Sequence, residues 1–107
     1  QHIMGILGWL FGGNKRSETI KELAAKGALI IDVRSPAEFK GGHIQGSQNI
    51  PLQSIADKAD KIKKTGKPVI VCCASGMRSA QAAGILKSKV VVCEVGGGWT
   101  SLRLKLN

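Results

Sequence analysis

The run VIVCCASGMRSA, Val69 to Ala80, decides how this chain is read. It passes from β-branched apolar residues to two adjacent cysteines, then to small residues, an arginine and a serine. Pro68 to Cys72 reads as a buried strand, because a short apolar run bounded by breakers suits a strand covered on both faces. Ser79 reads as the cap of a helix running to about Lys87. Strand, loop and helix in that order put the cysteines at the carboxyl end of a strand. In open parallel sheets, ligands gather beyond that end.

Outward from this run, helical and extended segments alternate. Ser17 or Thr19 can cap a helix through about Lys26, with Ile20, Leu23 and Ala24 on one face and Gly27 as the stop. Ala28 to Val33 reads as a second buried strand. Ser35-Pro36 opens a helical turn through Phe39, stopped by Gly41-Gly42. Gln48 to Ile50 reads as a short strand closed by Pro51. Ser54 starts a helix to about Lys64 with Ile55, Ala59 and Ile62 inward, and Thr65 to Pro68 is a loop. Val90 to Val95 reads as a further strand, and Gly96 to Gly98 lead into an amphipathic segment, Trp99 to Leu106. The alternation predicts an α/β fold, a parallel sheet with helices on both faces.

At 107 residues the chain has the size of one domain. Lysine and arginine number 16 against 7 acids, for a net charge of +9, so nucleic acid must be weighed as a partner. The chain is only 4% aromatic, which leaves little for base stacking, and it carries no nucleic-acid motif. Lys58, Lys61, Lys63, Lys64 and Lys67 read as a solvated helix face, and the excess charge draws small anions instead. Three cysteines form no disulfide framework, and a Cys72–Cys73 bridge would close a strained ring; a reducing cytoplasm fits best. No spacing suits a metal site, and none of the motifs calls for a cofactor. Gln1 to Ile3 read as a cloning remnant, followed by a short hydrophobic segment from Ile6 to Phe11. Residues 1–16 are therefore set apart from a single domain over 17–107. The apolar segment either packs on the domain or a second copy, or dips into a membrane interface; it is far short of the ~20 residues that span a bilayer.

The loop after the cysteines can do chemistry. Gly76 can take positive φ at no steric cost, so backbone N–H groups can turn inward, and the following helix adds its positive end. The result is an anion-binding bowl with a cysteine at its base and Arg78 on its rim. The same field lowers a thiol pKa, and at the ordinary ~8.5 only about 3% of a thiol is ionised at pH 7. Two adjacent cysteines on a strand are more often inert core residues. The Gly-Met-Arg-Ser continuation into a helix reverses that expectation here. Five residues separate Cys72 from Arg78, and four separate Cys73 from it. The two spacings point to different chemistry, and the residues alone leave both cysteines open.

Cys73-Ala74-Ser75-Gly76-Met77-Arg78-Ser79 resembles the active loop of the rhodanese family, Cys-x-x-Gly-x-Arg followed by Ser or Thr. Ile30 to Leu52 resembles that family's other signature, Asp-x-Arg, Glu-Phe, Gly-His-Ile and Asn-Ile-Pro, and Gly96-Gly97 with Trp99 resembles its closing element. The likeness runs from about Ser17 to Leu104. It implies a rhodanese-like fold and a thiosulfate:cyanide sulfurtransferase-like enzyme. Cys73 would be the nucleophile that carries a persulfide. Ala74, Ser75, Gly76, Met77, Arg78 and Ser79 would bind substrate, with Arg78 either attracting the donor or holding the loop in shape. Asp32, Arg34 and Glu38 would knit the fold through hydrogen bonds and an ion pair, and His43 would fix its turn. Trp99 would be core or pocket wall, and Cys72 would end the strand with its side chain in the core. The implied partners are a small anionic sulfur donor and a thiol or protein acceptor. Two departures stand out. Ala74 stands where thiosulfate-preferring members often have arginine, and Lys87 to Trp99 is shortened, without the usual glycine before the last strand. Alternatives are a non-enzymatic binding or persulfide-carrier module, and a phosphatase or arsenate reductase using Cys72.

Overall fold

Four strands, Leu29–Asp32 (β1), Gln48–Asn49 (β2), Val69–Cys73 (β3) and Cys93–Gly98 (β4), form one parallel sheet in the order β2-β1-β3-β4. The structure is a computed structural model and describes residues 13–107. The expected cloning remnant and the Ile6–Phe11 segment lie outside the described residues. Among the described residues five α-helices surround the sheet: α1 (Gly13–Ala25), α2 (Pro36–Lys40), α3 (Ile55–Lys64), α4 (Met77–Ser88) and α5 (Trp99–Leu106). Among the described residues no helix is long and apolar enough to cross a membrane.

The parallel sheet with helices on both faces is the architecture that the alternation predicts. Side chains alternate along β3, so its two faces feed two cores. Val69, Val71 and Cys73 pack with Ile55, Ala59 and Ile62 of α3 and Ala82, Ala83 and Leu86 of α4. Ile70 and Cys72 pack with Ile20 of α1, Leu102 of α5 and Ile44. All five residues of β3 are buried, as befits a central strand paired on both edges.

Four expected boundaries need correction. Strand β3 runs Val69–Cys73, so Cys73 rather than Cys72 ends it. Helix α1 begins at Gly13 rather than at a Ser17 or Thr19 cap, since nothing from Asn14 to Arg16 breaks a helix. Ser79 lies inside α4, which starts two residues earlier at Met77, with Gly76 as its N-cap. The last strand spans Cys93–Gly98, not Val90 to Val95. Val90 closes α4 instead: its N–H donates to Lys87 O and the Val91 N–H to Leu86 O, each at 3.0 Å. That is a Schellman cap, with Val90 at φ 63° in the position usually held by glycine. Pairing with β3 begins only at Cys93, opposite Val69.

Candidate active site

Cys72 and Cys73 are adjacent in one strand, so their side chains leave opposite faces of the sheet. Cys73 faces α4 and Cys72 faces away from it, and both are fully buried. Burial, together with the Asp32 carboxylate, pushes the Cys72 thiol up to about 12. Burial pushes Cys73 up as well. Hydrogen bonds from the Ser79 hydroxyl and from the N–H groups of Ser79, Gly76 and Ser75 outweigh it, and the net direction is down. One of these is short, Gly76 N–H donating to Cys73 Sγ at 2.9 Å. Cys93, the third free cysteine, is buried among apolar residues away from the loop, and burial raises its thiol.

Gly76 makes the loop possible. At φ 110° it holds a conformation that L side chains rarely adopt, and it turns the chain so that α4 starts directly beside the sulfur. Ser79, one turn into α4, reaches back. Its Oγ donates to Gly76 O at 2.9 Å and accepts from the Cys73 thiol at 3.4 Å. A hydroxyl has one proton, so when Cys73 ionises, Ser79 can support the thiolate only by turning that proton from Gly76 O to sulfur. Of the remaining loop residues, Ala74, Ser75 and Met77 are exposed.

Arg78 points from the first turn of α4 to Glu38 on α2. Nη1 donates to Oε1 at 2.7 Å and Nη2 to Oε2 at 3.0 Å, a two-pronged ion pair with each side chain 37% exposed. Glu38 is held from its other side too. Oε1 accepts from the Ser35 N–H at 3.0 Å, and the Glu38 N–H donates to Ser35 Oγ at 3.2 Å, a reciprocal cap on α2. The guanidinium of Arg78, helped by the Ser35 N–H and the Ser35 hydroxyl, holds the Glu38 carboxyl at about 2. Asp32 and Arg34 form a second, buried pair at 2.8 Å, and Arg34 also donates to Gly42 O at 2.6 Å and Glu38 O at 3.3 Å. His43 is exposed; its Nδ1 lies 2.8 Å from Phe39 O and its ring stacks on Phe39. Asp32 and Arg34 are thus joined to each other and, through Glu38 O, to α2, His43 is tied to Phe39 of the same helix, and of the four only Glu38 bonds to an active-loop residue.

Sequence reasoning assigned the glycines of β4 and Asn49 no role at the site. An extra residue in β4, Gly96, falls between the Val71–Val95 and Cys72–Gly97 pairs. A Cβ on Gly96 would stand 2.8 Å from Leu102 and 2.9 Å from Val71 O, and one on Gly98 would stand 2.9 Å from Ala74 O. The active loop rests on bare backbone. Asn49 Nδ2 donates to Asp32 O and Arg34 O at 3.1 and 2.9 Å, pinning the end of β1. The run of three glycines was the available signal for the first, and the Asn-Ile-Pro of the rhodanese-like signature was the signal for the second. Trp99 lies half-buried with the guanidinium carbon of Arg34 4.8 Å from its ring centre and that of Arg103 5.1 Å. Among the described residues no cluster of His, Cys, Asp and Glu is arranged to hold a metal ion.

Comparison with known proteins agrees with this fold. The rhodanese-like domain family matches residues 16–105. An uncharacterised protein of Bacillus subtilis strain 168, YqhL, is 47% identical over 60 residues, 56% of this chain and 47% of that protein. The thiosulfate sulfurtransferase GlpE of Pseudomonas aeruginosa is 38% identical over 69 residues, 62% of this chain and 59% of that enzyme. The chain thus spans about half the length of these curated relatives. A solved rhodanese from E. coli, with anions, superposes with a TM-score of 0.63 at 33% identity, over 69% of this chain and 89% of that one. The chain belongs to the family of rhodanese-like domains.

Proposed function

We propose that this chain is a sulfurtransferase that moves sulfane sulfur from a small anionic donor, such as thiosulfate, to a thiophilic acceptor through a persulfide on Cys73. The catalytic unit is the domain over 17–107, working in a reducing cytoplasm that keeps its thiols free. One observation carries the reading: Cys73 alone of the three cysteines has its thiol lowered, by donors gathered at the start of α4. The Cys73 thiolate attacks the outer sulfur of the donor. A sulfur–sulfur bond forms to Cys73, the donor's own sulfur–sulfur bond breaks, and sulfite leaves with the electron pair. The N–H groups of Ser75, Gly76 and Ser79 that favour the thiolate would also favour the anionic persulfide. An acceptor thiol, a protein thiol, or cyanide in the test tube then takes the outer sulfur and returns the thiolate. No general base is needed, because the nucleophile is already favoured as its anion. Cys73 has no exposed surface while Ala74 and Ser75 above it are exposed, so entry of a donor requires the loop to move.

That buried sulfur also favours a second reading, a module that binds a partner or carries persulfide without turning over. Incubation with thiosulfate, followed by intact mass and a cyanide assay, separates the two. We expect the mass of one added sulfur in the protein and in Cys72→Ser, none in Cys73→Ser, and thiocyanate release that follows the same pattern. Sulfur uptake without thiocyanate release would favour the carrier. Aryl phosphate hydrolysis lost in Cys72→Ser would replace both readings with a phosphatase.

A further inference from the structure

Arg78 is the basic residue of the active loop, yet its guanidinium is already engaged by Glu38 through both terminal nitrogens. A sulfonate presents oxygens to arginine in the same forked geometry that a carboxylate does. Glu38 therefore occupies the two N–H donors through which Arg78 would hold a sulfonate. It cannot easily withdraw, because the Ser35 N–H holds Oε1 from the other side. We propose that Glu38 determines specificity by donor charge: its carboxylate neutralises Arg78, so that Cys73 accepts sulfur from singly charged donors in preference to dianionic thiosulfate. The exposed Ala74 side chain, next to the sulfur in sequence, supplies no second cation.

This assignment rests on the sulfur transfer at Cys73 proposed above. The chemistry is the same for both donor classes. The thiolate bonds to the outer sulfur, and sulfite leaves from thiosulfate, or benzenesulfinate from benzenethiosulfonate, with the electron pair of the broken bond. The two donors differ by one negative charge, and neither needs an oxidant or reductant.

The test is the rate of persulfide formation on the purified chain, followed by intact mass, with thiosulfate and with benzenethiosulfonate. Glu38→Gln keeps an oxygen that can accept from the Ser35 N–H and removes the charge. Its kcat/KM for thiosulfate relative to benzenethiosulfonate is expected to rise about three- to tenfold, the size of one partly exposed charge interaction. Glu38→Asp, which keeps the charge, is expected to stay near the original ratio. Raising ionic strength is expected to shrink the gain of Glu38→Gln. A Glu38→Gln variant that slows both donors equally, or leaves their ratio unchanged, makes Glu38 a purely structural partner and overturns the proposal alone. Failure of either donor to load sulfur on Cys73, in the original chain and both variants, overturns the sulfurtransferase reading and this one with it.

Discussion

Cys73 differs from Cys72 by which side of one strand it leaves, and that difference sets its chemistry. Desolvation acts on both thiols, but only Cys73 meets N–H donors that favour its anion. Ser79 is the one donor that must reorient, since its proton goes to Gly76 O while its Oγ accepts from the Cys73 thiol, and only ionisation of the sulfur turns that proton toward it. Ser79→Ala is expected to move the pH inflection of persulfide formation upward, toward the ordinary thiol range, and to slow the reaction at pH 7. Single-turnover rates between pH 5 and pH 10 would show it. An unmoved inflection would mean that the N–H groups suffice without the hydroxyl. Cys72, at about 12, is expected to resist iodoacetamide at neutral pH in folded Cys73→Ser and to react once that protein is unfolded.

Helices α1 and α4 end in the same Schellman cap with different residues at its left-handed position. In α1 that residue is Gly27 at φ 82°, and in α4 it is Val90 at φ 63°. A β-branched residue pays about 1–2 kcal/mol there, and the 74% exposed Val90 side chain recovers little of it by burial. Val90→Gly is expected to stabilise the fold by about 0.5–1 kcal/mol, net of glycine's own entropic cost, as an increase in urea midpoint. Strand β4 carries the opposite constraint, with positions where only glycine fits. Gly96→Ala would press on Leu102 and the β3 backbone and is expected to cost about 1–3 kcal/mol. Gly98→Ala would press instead on Ala74 O in the loop. We expect it to slow persulfide formation by about 10- to 100-fold, through a displaced sulfur cradle, with a smaller loss of stability. Paired urea melts and single-turnover rates on the two variants would test this division.

Across the whole molecule, ion pairs connect parts of the chain that the sheet alone leaves separate. Asp32–Arg34 ties the end of β1 to the Gly42 turn and to α2, and Glu38–Arg78 then ties α2 to α4 over 40 residues of sequence. The second pair has a consequence for acid stability. The folded Glu38 carboxyl sits at about 2, below its ordinary 4.5, because Arg78 and the Ser35 N–H favour its anion. A carboxyl lowered on folding stabilises the native state above its unfolded value, and loses that contribution as pH falls toward the folded one. The thermal stability of the protein relative to Glu38→Gln is therefore expected to be constant above about pH 5 and to shrink between about 4.5 and 2. Melts taken across that range in matched salt would check it. A difference that persisted unchanged to pH 2 would assign the effect to packing rather than charge.

The sequence by itself determined the parallel α/β architecture, because strand and helix periods and their Gly and Pro breakers are local signals read within a few residues. It also marked the loop, because Cys73 to Ser79 is contiguous. It misplaced the last strand because Val90 to Val95 has strong strand character, whereas Val90 and Val91 were needed to close α4. Only the tertiary structure decided that Cys73 faces α4 and Cys72 the opposite core, that Arg78 is engaged by Glu38, and that the loop lies on Gly98. Each of these depends on sheet register or on residues brought together from distant parts of the chain. Such pairings are set by how whole elements pack, and no local period or propensity encodes them.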